Sequence, residues 1–373
     1  MDHRQQAWYS VTAGIRLANS GCFVSSVVRC VVAALAVGLL FLAPVRADGQ
    51  AGADSVTAWT ARVQSGSLVD RANALRKIGA IPTPALPTET HRVLIAELNR
   101  LHQALQSGLP LGAPGEDAEV IGDYYMDLVG VVATLGTREA KLALVPAVAV
   151  SVGIAQDVAQ LGDTAVAVLL PLLQRRNSDD AMVVLETLGH VWFWADSTGS
   201  PLSDRSRAQV LAALTTAATS GIHDDMLGMQ GALMAVRDPG FLPLAQRVRE
   251  FAATRGVLGH STDYTMEHEV IPQLTTLAAS RSTASLVKGF ARMVTAVCGN
   301  DAAGRRKGAC QSLTNDVAAA SDHLANGRTI PARNGFESIG QKIDHAYADG
   351  AVTDAEHALL AGNVTMILKR LPP

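Results

Sequence analysis

The densest group of side chains able to do chemistry lies at residues 260–269. It combines two histidines with three carboxylates: His260, Asp263, Glu267, His268 and Glu269. Imidazole and carboxylate groups are common zinc ligands. The histidines lie eight residues apart and the HExxH order is absent, and neighbouring side chains on a helix diverge by about 100°. The group predicts either a metal-assisted enzyme that uses His260, Asp263 and His268 or, as we favour, a solvated helix start where acids suit the helix dipole.

A second group surrounds the aromatic sequence Trp192-Phe193-Trp194. Residues two apart on a helix point about 200° apart, so the two indoles cannot face the same core. An exposed tryptophan would favour binding of a partner, whereas buried ones would fill a groove beneath an irregular helix. Asp224 or Asp225 is also expected to cap a helix. The candidate binding residues are Trp192, Trp194, His190, His223 and Asp224.

Residues 345–356 echo the second half of a calcium-binding loop. Its first and third positions would be His345 and Tyr347, which do not supply the carboxylates that calcium prefers. We interpret this stretch as a turn followed by a helix with a capping box formed by Thr353 and Glu356. Serine-hydrolase, Walker and dinucleotide-binding motifs are missing from the sequence. We therefore expect no cofactor.

The amino-terminal segment is typical of a signal peptide. Arg4, Arg16 and Arg29 precede an uncharged run over residues 30–45, and Val45-Arg46-Ala47 resembles a signal-peptidase site. The run is short of the roughly 20 residues of a membrane-spanning helix, although a retained anchor is the alternative. We expect residues 1–47 to be removed and the protein to be exported, to the periplasm or outside the cell, without a stable membrane span.

Charge and composition restrict the partners and the fold. The net charge of the chain is −3, and loss of four arginines and one aspartate with residues 1–47 would make it −6. Such a protein has no electrostatic footprint for nucleic acid or anionic lipid. The chain is 48% hydrophobic but only 4% aromatic. We expect an aliphatic core between close-packed helices, because β-sandwiches carry more aromatic and β-branched residues.

Cys298 and Cys310 are the cysteines left after the expected cleavage. An even count in an exported chain suggests a disulfide. Free buried thiols are an alternative, and a metal site is another, although no second cysteine or histidine pair lies at ligand spacing.

Internal repetition organises the middle of the chain. Apolar stretches end at Leu135-Gly136, Leu161-Gly162 and Leu188-Gly189, so the period is 26 and then 27 residues, and Arg237 follows 48 residues later, near two periods. A fixed period in this range indicates a solenoid of stacked helix pairs.

The repeat resembles the HEAT repeat, particularly its short bacterial form, over about residues 117–253. The motif residues are Leu161, Gly162, Asp163, Ala165, Val168, Leu169, Pro171 and Leu172, and Asp238, Pro239, Leu242, Pro243 and Leu244 repeat its second half. His190 departs from the usual aspartate, and we expect residues 191–201 to break the helix there. The resemblance implies a curved right-handed stack that serves as a binding scaffold without catalysis.

The carboxyl-terminal region weakly resembles the FIMAH module, a small helical module of secreted bacterial proteins. The shared features are a Leu324–Gly327 stop, an apolar helix with Phe336 and Ile339, and the turn at residues 349–356.

The sequence thus predicts an all-α protein, an α-solenoid of HEAT-like helix pairs with a smaller carboxyl-terminal helical bundle. The expected parts are a signal peptide (1–47), amino-terminal helices with a proline-rich connector (48–116), the solenoid (117–255) and the terminal helical domain (256–373). The expected function is a scaffold that binds a protein or peptide in the cell envelope. The alternative is the metal-assisted enzyme.

Overall fold

The structure, a computed structural model, describes residues 49–107, 118–148, 152–174, 178–197, 202–255, 260–299 and 304–373. All regular secondary structure in these ranges is helical, which confirms the all-α class. The predicted signal peptide lies outside them. None of the helices described here has both the length and the apolar character needed to cross a membrane.

The chain forms two compact units that divide between Val150 and Ser151. The predicted solenoid, residues 117–255, begins in the first unit and ends in the second. Its stacking into one continuous array stays a prediction.

The first unit is built around a buried leucine stripe. Its helices are α1 (Gly49–Ser65), α2 (Leu68–Gly79), α3 (Thr88–Gln106), α4 (Ala118–Thr134) and α5 (Arg138–Leu144), with 3-10 turns at Thr83–Ala85 and Val145–Ala147. Leu94, Leu98 and Leu101 recur along one face of α3 and are at most 1% exposed. Aliphatic side chains at this spacing give a helix one apolar face, and its burial is the main favourable term in folding.

A polar cluster is buried in the same unit. The carboxylate of Glu97, whose side chain is 7% exposed, accepts hydrogen bonds from Arg100 at 2.7 and 2.9 Å and lies 3.4 Å from the Arg71 guanidinium. The Tyr124 hydroxyl donates to it at 3.3 Å. Burial, reinforced by Glu97, raises the pKa of Tyr124 above its usual value. We call these four residues the Glu97 cluster. Its buried charge is satisfied from within the unit.

The remaining helices form the second unit. Its helices are α6 (Ala155–Ala159), α7 (Asp163–Gln174), α8 (Ser178–Ser197), α9 (Asp204–Ala218), α10 (His223–Val236), α11 (Leu242–Arg255), α12 (His260–Thr265), α13 (Ile271–Ser280), α14 (Thr283–Cys298), α15 (Gly304–Ala325), α16 (Thr329–Ala348) and α17 (Asp354–Leu368), with 3-10 turns at Val152–Ile154 and Pro239–Phe241 and a π-turn at Met266–Val270.

Helices α8 and α10 approach closely at two glycines. A Cβ on Gly189 would lie 2.5 Å from the Ala232 carbonyl oxygen, and one on Gly228 would lie 2.9 Å from the Met182 Cα. These distances are too short for any side chain, so only glycine allows the contact. The interior position of Gly189 also corrects two predictions. This glycine does not end a helix, and α8 continues unbroken through Trp192 to Ser197.

The other repeat glycines do form turns. Gly136 and Gly162 have φ angles of 65° and 57°, in the left-handed region. Arg237, at the corresponding place after α10, also adopts it, with φ 43° and ψ 30°. Three of the four repeat positions thus lie in left-handed turns, whereas Gly189 lies inside a helix.

The last helices are pinned to one another by a cysteine pair and an arginine. Cys298 and Cys310 stand at disulfide distance, with their Cα atoms 5.4 Å apart. Arg306 donates to Val297 O at 2.5 Å and to the Glu356 carboxylate at 2.6 Å. Glu356 also completes the predicted capping box with Thr353. These contacts fix the carboxyl-terminal end of α14 against α15 and α17.

Candidate functional site

A cleft with a volume of about 430 Å³ lies in the second unit, beside the turn after α10 and the first half of α14. Its volume falls in the range of ligand-binding pockets. Four cationic side chains line it: Arg237, Arg281, Lys288 and Arg292. The only carboxylate among its described lining residues is Asp238. We call this site the basic cleft.

The turn after α10 places Arg237 at the cleft. Among the described residues, it is the only one other than glycine with a positive φ. This conformation costs roughly 1–2 kcal/mol for a residue with a Cβ. The Arg237 guanidinium lies over the Phe193 ring, 5.2 Å from its centroid. The face of the Phe193 ring thus stabilises the Arg237 guanidinium at the wall of the cleft that the turn forms.

Asp238 stabilises the turn with both of its oxygens. One accepts the backbone N–H of Gly240 at 3.0 Å, and the other accepts the Trp192 indole N–H at 3.1 Å. Trp192 is 1% exposed and packs edge-to-face on Phe241, with ring centroids 5.1 Å apart. The carboxylate is therefore engaged in holding the turn between α10 and α11.

The opposite wall is the amino-terminal half of α14. Ser282 caps this helix, since its hydroxyl accepts the backbone N–H of Ser285 at 3.2 Å. Arg281 immediately precedes the cap. Lys288 and Arg292 lie four residues apart and therefore on one face of the helix, one turn after the other. The same helix buries Leu286, Phe290 and Met293 in the core. Its amphipathic pattern thus exposes Lys288, whereas Arg292 is half-buried.

The cleft carries an excess of positive charge. Arg237, Arg281 and Lys288 are exposed, and none of them forms a salt bridge with a carboxylate in the described part of the chain. Positively charged side chains along a concave surface raise the local concentration of anions. The arrangement is suited to binding a negatively charged group.

Asn363 fastens the base of the cleft. It is 3% exposed, and its side-chain NH₂ donates to the carbonyls of Gly240 at 2.7 Å and Leu359 at 2.8 Å. A Cβ on Gly240 would lie 2.8 Å from the Met293 methyl group, so the turn packs closely against α14. The turn after α10 is thereby fixed to α17 and α14, so the two walls are held together.

His190, a predicted binding residue, lies within the electrostatic influence of Arg237. Burial, and secondarily the charge of Arg237, lower its pKa below the usual value. Its Nε2 lies 4.0 Å from Glu186, whose pKa is raised by burial. At neutral pH the imidazole is therefore uncharged and adds no further cation to the site.

The other predicted binding residues do not come together there. Trp192 is part of the core, which rules out a surface role for that indole. Trp194 is half-buried, and its ring lies 5.7 Å from that of Phe193. His223 and Asp224 begin α10, and the 14 residues of this helix separate them from Arg237 by about 20 Å. The predicted aspartate cap is wrong, because Ile222 holds the N-cap position without a side-chain bond.

The predicted metal ligands have other partners. Asp263 and Glu267 bind the Arg249 guanidinium at 3.2 and 2.6 Å. The His268 ring contacts the Tyr264 ring at a tilt of 47°, with ring centroids 4.3 Å apart. His260 is the first residue of α12, and its side chain is outside the part described. Within the described ranges, no three His, Cys, Asp or Glu residues are grouped to hold a metal ion.

Sequence reasoning missed the basic cleft because its cations are spread over 56 residues of the chain. One signal in the sequence was the Lys288–Arg292 pair at helical spacing on an amphipathic helix. A second signal was Arg237, which takes the place of glycine in the repeat pattern. Comparison of the chain with protein-family models, with curated proteins and with solved structures finds no match.

Proposed function

We propose that this protein is a non-catalytic helical scaffold that binds a protein or peptide partner in the cell envelope, and that an acidic segment of the partner enters the basic cleft. The observation that carries the proposal is the cleft itself, in which exposed cations from two walls face a shared volume. The HEAT-like repeat pattern supports a scaffold, and the signal-like segment and the cysteine pair at disulfide distance support export.

The balance of charge favours a short acidic segment over nucleic acid. The chain as a whole is acidic, with a net charge of −3. Nucleic-acid binding normally requires a basic face or stripe that follows many phosphates. The four cations of the cleft are confined to about 430 Å³, which suits a few side chains of a partner.

The affinity of such a site for an acidic partner depends on the salt concentration. Exposed ion pairs are each worth about 0–1 kcal/mol, so the cleft supplies attraction and orientation, and most of the affinity must come from contacts around it. Electrostatic attraction is screened beyond about 10 Å at 0.1 M salt. An acidic partner should therefore bind less tightly as the salt concentration rises.

A charge-reversal variant tests the proposal. Fluorescence anisotropy would compare a labelled Asp/Glu-rich peptide with its Asn/Gln counterpart on the wild type and on Arg281→Glu/Lys288→Glu. We expect binding of the acidic peptide alone, at least tenfold weaker in the variant. Arg205→Glu/Lys307→Glu is a matched control with the same charge change at exposed cations outside the cleft. Equal binding of both peptides, or equal loss in both variants, would contradict the proposal.

A further inference from the structure

We propose that the basic cleft is a binding site for a phosphate oxyanion, carried on the partner as a phosphorylated side chain or present as the free ion. The inference rests on the proposed function for its location and goes beyond it in the chemical class of the ligand. It is carried by three features of the cleft: the number and spacing of its cations, the strained position of Arg237, and the hydrogen bonds already made by its other polar groups.

The cations offer more donors and more charge than one carboxylate requires. A guanidinium has five N–H donors in a planar fork and an ammonium has three. Arg281 immediately precedes α14 and Lys288 follows about two helical turns later, so their groups can approach one ligand from one side. Arg237 faces it from the turn. A phosphate monoester carries about −1.5 to −2 charges at pH 7 and three acceptor oxygens, which matches this set better than a single carboxylate does.

Arg237 is retained in a conformation that glycine would adopt without strain. The corresponding turns have Gly136 and Gly162. Strained backbone of this kind persists where the surrounding structure enforces it and is concentrated at functional sites. The hydrogen bonds that hold this turn are accepted by the Asp238 carboxylate, so the turn does not need an arginine side chain. The arginine therefore contributes a cation at this point and not a better turn.

The described side-chain carboxylate and amide groups of the cleft are engaged elsewhere and do not neutralise Arg237, Arg281 or Lys288. Both oxygens of Asp238 accept hydrogen bonds, from Gly240 and from Trp192. Both N–H groups of the Asn363 amide are used within the protein. The exposed Ser285 hydroxyl, which lines the same cleft, is an additional donor for an oxyanion. Asp238 is the one lining residue whose negative charge would repel an oxyanion. The hydrogen bonds from Gly240 and Trp192 partly offset this charge.

The test is a calorimetric titration of the purified chain with inorganic phosphate, sulfate and acetate at pH 7.5 and constant ionic strength. We expect saturable 1:1 binding of phosphate and at least tenfold weaker binding of acetate. Arg281→Glu/Lys288→Glu should abolish phosphate binding, and Arg205→Glu/Lys307→Glu should preserve it. Phosphate binding that matches acetate, or that is unchanged in the cleft variant, would overturn the assignment.

A second variant guards against loss of the fold. Arg237→Gly removes one cation but relieves the left-handed strain, so we expect a thermal midpoint about 2–4 °C higher together with severalfold weaker phosphate binding. In the wild type, phosphate should also raise the pKa of His190, followed by NMR, since Arg237 lowers it. A more stable variant with unchanged phosphate affinity would also refute the assignment.

A phosphoserine peptide and its serine counterpart separate the two sources of the anion. Tighter binding of the phosphopeptide than of inorganic phosphate identifies a modified partner, whereas equal affinities identify the free ion, and both support the oxyanion site. The proposed function fails separately. If phosphate binds in the cleft while acidic peptides and phosphopeptides gain nothing from it, the scaffold proposal is wrong. If acidic peptides bind there while phosphate does not, the oxyanion assignment is wrong.

Discussion

Two charged clusters of the protein, one in each unit, have opposite arrangements. In the first unit, the Glu97 cluster buries one carboxylate between two arginines and a tyrosine hydroxyl, and each group finds its partner inside the protein. In the second unit, four cationic side chains line the basic cleft. Three of them have no carboxylate partner within the described ranges.

The contrast separates charges that maintain a fold from charges available to a ligand. Removing one member of a buried, satisfied group leaves uncompensated charge in a low-dielectric interior, which is costly. Removing one member of a like-charged surface group relieves repulsion and costs little stability. Substitutions in the two regions should therefore differ in whether they affect folding or binding.

The largest expected effect is at the centre of the Glu97 cluster. Glu97→Ala should lower the stability of the first unit by about 3 kcal/mol, because the buried Tyr124 hydroxyl loses its acceptor and the partly exposed Arg71 and Arg100 lose their ion pairs. Hydrogen exchange of peptides from residues 49–148 would measure the loss, with Glu89→Ala on the exposed face of the same helix as the control. If the two variants exchange alike, the cluster does not maintain this unit.

Acid should weaken the first unit by a comparable amount through a second buried group. Burial lowers the pKa of His102 to about 4, and its Nε2 lies 2.9 Å from the Tyr125 hydroxyl. Because the unfolded chain takes up this proton near pH 6.5 and the folded one only near 4, stability is full above about 6.5 and falls as the pH drops toward 4. The loss is at most about 3 kcal/mol.

Chemical denaturation between pH 7 and pH 4 would measure this loss. The variant His102→Gln retains a hydrogen-bonding group but cannot take up the proton, so its stability should depend less on pH over that range. If the wild type and the variant lose stability in parallel, other groups cause the acid effect.

The cysteine pair should affect the second unit, whose helix α14 carries Lys288 and Arg292 of the cleft. The chain-entropy model gives roughly 3 kcal/mol for a cross-link that closes a loop of about a dozen residues. We expect Cys298→Ala/Cys310→Ala to lower the stability of the second unit by about 2–3 kcal/mol and to leave the first unit unchanged, by hydrogen exchange. A loss shared equally by both units would show that the cross-link does not act locally.

The smallest effect on stability should come from the cleft. Arg281→Ala/Lys288→Ala should change the free energy of unfolding by about 0.5 kcal/mol or less, and a small gain is expected if mutual repulsion dominates. The same variant should bind an acidic peptide more weakly and with a shallower dependence on salt. A loss of several kcal/mol would place these cations in the structural class of the Glu97 cluster.

Much of the local structure could be predicted from the sequence. The leucine stripe of α3, the capping box at Thr353 and the left-handed turns at Gly136 and Gly162 all follow from short-range patterns. Gly189 shows the limit of such reasoning. It lies in the same Leu-Gly context as the two turn glycines but inside a helix, where it allows contact with α10. Whether a glycine serves a turn or a close approach depends on what packs against it.

The sequence by itself determined the all-α class, since aliphatic periodicity and helix caps act within a few residues of one another. It also suggested a disulfide between Cys298 and Cys310, which the structure places at disulfide distance. Only the tertiary structure decided that Trp192 is buried, that the acids near His268 pair with Arg249, and that Arg237 meets Arg281, Lys288 and Arg292 in one cleft. Electrostatic and packing interactions depend on distance in space, and residues far apart in the chain become neighbours only when the helices pack.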